Sequence, residues 1–304
     1  MTPSHAPLGF RAAAAVVRPS MNVLMGKQWE GLENLPTDGC IVVANHVSEL
    51  DPLAVAHAVY MSGSTPHFLA KDSLFRVPAF GGVLRGLKQI PVARGDRSEA
   101  RRSLQVASEV LSSGGAILIY PEGTLTRDSE LWPMRAKTGA ARLALETGAP
   151  LIPVTHWGVQ DFFPPYAKAP KPFPRKRYRL RVGEEIDIDD LRGKPRTRTV
   201  LAEATQRVED ALTAGVAALR GEQPPELIFD RAVGQRVPRN QIRARAEQAG
   251  RTAAPQQAGG ADAPEQAAEP KPDAEAAGYP QRSGGSRPQP EHGAEQDGER
   301  ETRA

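Results

Sequence analysis

The feature that most constrains the fold of this chain is a regular alternation of short apolar runs with helical patterns. Cys40–Ala44 and residues 116–120 are continuous apolar runs, which is typical of strands covered on both faces. Further strand-like runs occur at residues 67–70, 89–92 and 151–154, with helical patterns between them. Buried strands that alternate with helices predict an α/β domain with a largely parallel sheet flanked by helices.

Composition divides the chain into segments. Residues 31–220 are predicted to form one globular domain, in which residues 177–182 are an edge strand and residues 199–219 a closing amphipathic helix. Residues 221–304 are predicted to be a disordered, low-complexity tail. From residue 251 onward this tail contains no Ile, Leu, Val, Met, Phe or Trp, so it cannot bury enough apolar surface to offset its chain entropy.

Residues 1–30 are predicted to be an amphipathic segment at a membrane interface. Between residues 8 and 25 the apolar side chains are accompanied by Arg11 and Arg18 and by no acidic residue, which suits contact with lipid phosphates. A helix packed on the domain explains the same pattern equally well. We see neither a secretory signal nor a stretch able to span a bilayer, and we therefore expect a chain that stays in the cytosol.

Charge and cysteine content exclude several classes of protein. The formal net charge is +3 over 304 residues, which is too slight an excess to predict a nucleic-acid partner. Residues 239–304 carry 9 basic and 11 acidic residues, which leaves a net charge of +5 on the first 238. The single cysteine, Cys40, excludes an internal disulfide framework and a Cys-based zinc site.

Three predicted strands end in polar clusters, after Ala44, Val92 and Tyr120. Ligands of open parallel sheets bind beyond the carboxyl ends of the strands, so these clusters are candidate parts of one site. The first cluster holds His46 and Asp51, five residues apart, with Asp51 at the start of a helix. A carboxylate there can orient the imidazole and leave its other nitrogen free as a general base. A structural pair, in which the carboxylate only caps its helix, has the same spacing.

The other clusters supply a tight turn and positive charge. Glu122-Gly123-Thr124 follows a buried strand, and Gly123 permits close approach of the backbone to a ligand. The nearby cations suit a phosphate-bearing ligand, although solvated charges are the alternative for each of them: Arg94, Arg97, Arg127, Arg135 and Lys137. No Walker loop, Gly-x-Gly-x-x-Gly element or metal-binding histidine spacing occurs, so no nucleotide or metal site is predicted.

These residues resemble the sequence blocks of the glycerolipid acyltransferase family of the 1-acylglycerol-3-phosphate acyltransferase (lysophosphatidic acid acyltransferase, PlsC-like) type. Four blocks occur in the family's order: Asn45-His46-x-x-x-x-Asp51, residues 86–94 ending in Arg94, Tyr120-Pro121-Glu122-Gly123-Thr124, and residues 151–154. The chain departs from the family at Leu125, where the family usually has an arginine. Arg127, two residues later, is the candidate to replace that cation.

The resemblance implies transfer of a fatty acyl group from acyl-CoA or acyl carrier protein to the free hydroxyl of 1-acylglycerol 3-phosphate, giving phosphatidate. It implies His46 as the general base and Asp51 as the residue that orients it, with no cofactor. The implied substrate-binding residues are Arg94, Glu122, Gly123, Thr124, Arg127 and Lys137, with backbone N–H groups at Gly123 and Thr124 as donors. The alternatives are another acceptor such as glycerol 3-phosphate, a metal-dependent phosphoesterase, or a lipid-binding module without catalysis.

The substrates that the resemblance implies carry long acyl chains, so we expect the protein to work at a membrane surface. Residues 161–181 interleave aromatic residues with seven cations, which suits an anionic lipid surface. A solvated loop is the alternative. We therefore expect peripheral attachment to the cytoplasmic face of the cell membrane. The expected partners are the acyl donor, lysophosphatidate and anionic lipid, and no nucleic acid.

Overall fold

The computed structural model describes residues 6–92 and 97–238. The helices are α1 Leu8–Leu24, α2 Asp51–Ser62, α3 Asp72–Phe75, α4 Phe80–Gly86, α5 Arg97–Ser112, α6 Gly139–Thr147, α7 Val159–Phe162 and α8 Arg198–Arg220. The strands are β1 Met25–Glu30, β2 Cys40–Ala44, β3 Pro66–Lys71, β4 Ile90–Val92, β5 Ala116–Ile119, β6 Leu151–Trp157, β7 Lys176–Val182, β8 Leu227–Asp230 and β9 Gln235–Pro238.

Within the described residues, the main sheet has seven strands in the order β1-β7-β6-β2-β5-β3-β4. Neighbouring strands are parallel except β6 and β7, which are antiparallel. At the centre, Val42 of β2 lies between Leu118 of β5 and Ile152 of β6. The predicted α/β class with a largely parallel sheet is therefore confirmed.

The position of β7 differs from the prediction. Its alternating sequence was expected at the edge of the sheet, but β7 lies between β6 and β1. β1 pairs with it in parallel from Met25 opposite Lys176 to Glu30 opposite Arg181. The partner strand comes from the segment that was assigned to a membrane interface, so no pattern near β7 could have indicated it.

Helices cover both faces of the sheet because successive side chains of a strand point to opposite faces. Val42 and Leu118 belong to the core that includes residues of α1 and α2, whereas Ile41 and Ile117 belong to the core that includes residues of α5, α6 and α8. Cys40 is buried in β2, as expected for a strand residue. The first face therefore carries the N-terminal helix, and the second carries the long helix α8.

Both boundaries of the predicted domain differ in the structure. Met21 of α1 is buried in the core with α2, and β1 is part of the sheet, so residues 8–30 belong to the domain. After α8, residues 227–238 form the antiparallel hairpin of β8 and β9 inside the predicted tail. Only Ile228 and Val237 of this hairpin are buried apolar residues, a signal too short for sequence analysis. The rest of the predicted tail, residues 239–304, lies outside the described residues.

In the part of the chain that the structure describes, none of the helices combines the length and apolar character needed to cross a membrane.

Candidate active site

Three neighbouring strands bring the candidate site together. β6, β2 and β5 are adjacent and parallel, so their carboxyl ends lie at the same edge of the sheet. His46 follows β2, Glu122 follows β5, and His156 lies near the end of β6. The predicted cluster after β4 includes Arg94, which lies outside the described residues.

His46 and Asp51 form the predicted pair. Nδ1 of His46 lies 3.0 Å from Oδ2 of Asp51. The side chain of His46 is 16% exposed, whereas that of Asp51 is fully buried. The carboxylate thus engages Nδ1 and leaves Nε2 as the nitrogen that can accept a proton from a substrate.

The Asp51 carboxylate is itself held by the loop that it faces. Oδ2 accepts hydrogen bonds from the backbone N–H groups of Val47 at 2.6 Å and Ser48 at 2.7 Å. Asp51 is the first residue of α2, and Pro52 stands in the first turn of that helix, where proline is favoured. Short hydrogen bonds to a carboxylate are strong, so they fix the orientation of Asp51 behind the imidazole.

A second histidine, His156, fixes the residue that precedes His46. The backbone N–H of His156 donates to Oδ1 of Asn45 at 2.9 Å, and Nδ2 of Asn45 donates to the carbonyl of His156 at 3.1 Å. Nε2 of His156 also donates to the carbonyl of Asn45 at 2.9 Å. Burial lowers the pKa of His156, against the opposing effect of Asp51, which favours the neutral imidazole with its proton on Nε2.

Sequence analysis missed the role of His156 because it was considered only as a metal ligand. The available signal was its position two residues after the fourth block. The role of Tyr120 was likewise missed, although this residue begins the third block. Its ring stacks on the imidazole of His46 with 4.2 Å between the ring centroids and forms one wall of the site.

Glu122 makes contacts that sequence analysis did not predict. Its side chain is buried, and Oε1 accepts the N–H of His46 at 3.2 Å while Oε2 accepts the N–H of Met134 at 3.1 Å. Burial raises the pKa of Glu122 to about 8, although these two N–H groups oppose the shift. Both carboxyl oxygens are therefore engaged by backbone, and Glu122 joins the loop after β2 to the loop before α6.

The turn at Gly123 has the backbone geometry that requires glycine. Its φ is +72°, in the left-handed region. A Cβ atom at this position would lie 2.8 Å from Nζ of Lys137, so the Lys137 side chain packs directly over the turn. The N–H of Gly123 donates to the carbonyl of Tyr120 at 2.9 Å and closes the turn, so it does not serve as the ligand donor that was predicted. Thr124 follows it, half-buried.

The cations around the turn are arranged differently from the prediction. Leu125 is buried, and Arg127 is exposed with its backbone N–H directed at Sδ of Met134, 3.1 Å away. Arg135 is paired with Asp230 of the hairpin at 2.9 Å. Arg231, also from the hairpin, donates from Nη1 to the carbonyl of Glu122 at 3.1 Å. Sequence analysis missed Arg231 because it lies in the predicted tail.

In residues 6–92 and 97–238, no group of three or more His, Cys, Asp or Glu side chains is placed to hold a metal ion. The described residues bring an oriented imidazole, a buried carboxylate and the Lys137 side chain to the site.

The sequence around this site is similar to that of known acyltransferases. Residues 27–157 match the family model described as Acyltransferase. A chloroplastic 1-acyl-sn-glycerol-3-phosphate acyltransferase of Brassica napus is 31% identical over 137 residues, covering 44% of this chain and 38% of the relative. A protein of the same name from Borreliella burgdorferi is 34% identical over 134 residues, covering 44% of this chain and 52% of the relative. The chain thus spans about half or less of the length of these relatives.

The fold agrees with the sequence matches. The crystal structure of the 1-acyl-sn-glycerophosphate acyltransferase PlsC from Thermotoga maritima superposes with a TM-score of 0.55 at 25% identity, covering 71% of this chain and 81% of that one. The family match includes the His46–Asp51 pair and the Glu122-Gly123-Thr124 turn. Residues 27–157 of this chain therefore match the acyltransferase family model, and its fold is similar to that of PlsC.

Proposed function

We propose that the protein transfers a fatty acyl group from an acyl-CoA or acyl carrier protein thioester to the free hydroxyl of 1-acylglycerol 3-phosphate, releasing the thiol and phosphatidate. The observation that carries this proposal is the His46–Asp51 pair, 3.0 Å apart at the carboxyl edge of the sheet. The pair lies inside the stretch that is similar to proteins named 1-acyl-sn-glycerol-3-phosphate acyltransferase.

In the proposed mechanism His46 is the general base. Nε2 takes the proton of the acceptor hydroxyl while the oxygen attacks the thioester carbonyl, and Asp51 holds the ring and stabilises the imidazolium. The tetrahedral intermediate then expels the thiolate, and the proton passes from His46 to sulfur. General-base help of this kind contributes typically ~10²–10⁴-fold to the rate.

Direct transfer also fits the state of two candidate nucleophiles, Ser48 in the loop after β2 and Cys40 at the opposite end of that strand. The hydroxyl of Ser48 donates to the carbonyl of Phe163 at 2.7 Å, so it is held away from His46. Cys40 is buried, and burial raises the pKa of its thiol to about 12, so the thiolate is scarce. A covalent acyl-enzyme on either residue is therefore disfavoured, and the alcohol attacks the thioester itself.

The test is an assay of the full chain with acyl-CoA and three acceptors: lysophosphatidate, glycerol 3-phosphate and 1-monoacylglycerol. We expect the highest kcat/KM with lysophosphatidate, unchanged by exhaustive chelation. H46A is expected to lower kcat ~10²–10⁴-fold without a matching loss of thermal stability. Failure to use lysophosphatidate beside good turnover of another alcohol would overturn the acceptor, and full activity of H46A would overturn the mechanism.

We further propose that one surface of the protein, which we call the lipid face, contacts anionic membranes. It consists of the outer side of α1 and the exposed part of residues 163–177. Leu8, Val16 and Val23 are exposed on α1, and Phe173 is 86% exposed. Phe162, which was predicted to belong to the loop surface, is instead buried in the core.

Two sets of contacts support the lipid face. Arg175 donates to the carbonyls of Asn22 and Met25, which fastens the loop beside the end of α1. The N–H of Tyr166 donates to Oε1 of Glu49 at 2.9 Å, which fastens the other end of the loop to the segment after His46. A lipid held at this face would therefore lie beside the candidate active site.

A further inference from the structure

The hairpin of β8 and β9 is fastened to the loop that follows β5. Arg236 donates from Nε and Nη2 to the two carboxyl oxygens of Asp128, each at 2.6 Å, and Arg135 pairs with Asp230 at 2.9 Å. Both carboxylates are buried. The N–H of Arg135 also donates to the carbonyl of Phe229 at 3.0 Å. Two ion pairs with buried carboxylates and a backbone hydrogen bond thus fix the hairpin relative to the candidate active site.

The turn of the hairpin presents Arg231 to the Glu-Gly-Thr turn. Oδ1 of Asp230 accepts the N–H of Ala232 at 2.8 Å, and the carbonyl of Asp230 accepts the N–H of Gly234 at 2.8 Å. Nη1 of Arg231 donates to the carbonyl of Glu122 at 3.1 Å. The same residue, Glu122, accepts the N–H of His46 through its carboxyl group. Arg231 is therefore connected to the proposed base through hydrogen bonds to a single residue, Glu122.

Arg231 differs from the other arginines of this region because it lacks a carboxylate partner. Arg135, Arg220 and Arg236 are each paired with an acidic side chain. No acidic side chain within the described residues lies within ion-pair distance of Arg231, and its buried Nε has no acceptor among them. A guanidinium that is held by one neutral carbonyl retains donors and charge for an anionic ligand.

A second cation lies over the same turn. Nζ of Lys137 is 2.8 Å from the position that a Cβ of Gly123 would occupy, and the N–H of Lys137 donates to the carbonyl of Pro121 at 2.8 Å. Leu125, in the next part of the turn, is buried and uncharged. Arg231 and Lys137 are thus the cations that the structure brings to the Glu122-Gly123 peptide from two different elements.

We propose that Arg231 binds the phosphate of the acyl acceptor together with Lys137, and that the hairpin thereby selects acceptors that carry a phosphomonoester. This inference rests on the proposed acyltransferase function. It assigns the selectivity for the acceptor to a segment that follows the domain matched by the family, whereas His46 and Asp51 perform the transfer. The guanidinium fork matches two phosphate oxygens, and the ammonium supplies a point charge.

The decisive experiment compares two acceptors that differ only in the phosphate. In R231Q we expect kcat/KM for lysophosphatidate to fall about 10- to 100-fold, mainly through KM, as for the loss of a charge-assisted contact. With 1-monoacylglycerol, and for the KM of acyl-CoA, we expect no change. R196Q, which removes an exposed arginine from the segment before α8, is the matched control and should leave both acceptors unaffected.

A structural role for Arg231 predicts a different outcome. If the guanidinium only braced the turn, R231Q would lower kcat/KM for both acceptors equally, and this result would overturn the proposal. R231K keeps the charge but loses the fork, and we expect it to recover part of the preference for lysophosphatidate. Thermal unfolding of each variant identifies loss of folding. If R231Q does not fold, R231K carries the test, and its KM for lysophosphatidate must exceed that of the wild type.

Binding separates this inference from the proposed function. The dissociation constant of monomeric lysophosphatidate is measured by calorimetry without acyl donor, for the wild type and R231Q. Weaker binding by R231Q supports the phosphate site even if the wild type turns over another acceptor. Equal binding by the two proteins, beside normal wild-type turnover of lysophosphatidate, overturns the phosphate site and leaves the acyltransferase function standing.

Discussion

Glu122 links the two loops of the candidate active site through a carboxyl group that is buried. Its pKa is raised from an ordinary value of 4.5 to about 8, so the folded protein keeps a proton that the unfolded chain releases at lower pH. Between these two pKa values the unfolded state binds fewer protons than the folded state. Stability therefore falls as pH rises through this window, and the contribution of Glu122 levels off above about pH 8.

At the residue scale, we predict that E122Q makes stability less dependent on pH. The amide does not titrate, so the unfolding free energy of the variant should decline less than that of the wild type between pH 5 and pH 8. An amide also has one acceptor oxygen, so the N–H of either His46 or Met134 loses its partner, which costs about 1–3 kcal/mol. We expect lower stability at pH 5 and a lower kcat.

The measurement is urea unfolding at pH 5, 6.5 and 8. E226Q, a change at an exposed glutamate before β8, is the control and should follow the wild type. Parallel pH profiles for E122Q and the wild type would contradict the titration of Glu122.

At the element scale, the β8-β9 hairpin depends on the buried Asp128–Arg236 pair. Burial acts to raise the pKa of Asp128, but hydrogen bonds from Arg236 and from the N–H of Glu130 outweigh it and lower the pKa. A lowered pKa contributes stability that is present above the ordinary value of 3.8 and is lost as pH falls below it. The hairpin should therefore loosen in acid.

We predict that D128N destabilises the protein by about 1–3 kcal/mol at pH 7, because it removes the two-point contact with Arg236 and leaves the exposed Glu130 as the acidic partner of that guanidinium. The difference from the wild type should shrink as pH falls below 3.8 toward the lowered pKa of Asp128, because protonation removes the charge that the variant lacks. D190N is the matched control, since Asp190 makes a similar two-point contact with Arg207 at an exposed position, where ion pairs contribute little. Equal effects of the two variants in denaturant unfolding would contradict the assignment.

At the scale of the whole molecule, the helical layers make the two sides of the sheet different. α1 lies in one layer and carries part of the proposed lipid face, while α8 lies in the other. Lys168 and Lys171 are exposed within residues 163–177, and Lys194 and Arg196 are exposed in the segment that leads into α8. Charge removal at these two places therefore distinguishes the lipid face from positive charge in general.

We predict that K168Q/K171Q weakens binding to anionic vesicles by roughly tenfold or more at low salt, since each cation near such a surface contributes about 1 kcal/mol. K194Q/R196Q should have little effect. The difference should vanish at high ionic strength, whereas F173S should weaken binding at every salt concentration because apolar burial is not screened. Vesicle sedimentation measures the binding of each variant. Unchanged binding of K168Q/K171Q at low salt would show that residues 163–177 are a solvated loop that does not contact the membrane.

Sequence patterns indicated the alternation of strands and helices over residues 40–219 and the His46–Asp51 pair, but they did not indicate β1 or the β8-β9 hairpin. These features are local, because strand and helix periodicity repeats within a few residues and the pair spans five positions. The tight turn at Gly123 was also predicted from its glycine, and the structure shows a left-handed φ of +72° there.

The partners of these local features could be identified from the tertiary structure alone. The contacts of Glu122 with His46, of His156 with Asn45 and of Arg231 with Glu122 join residues 76, 111 and 109 positions apart. β7 is internal because β1 pairs with it from the other end of the domain. Such contacts depend on which strands become neighbours and on which charged side chains pair. Neither can be predicted from the hydrophobic pattern within a single segment.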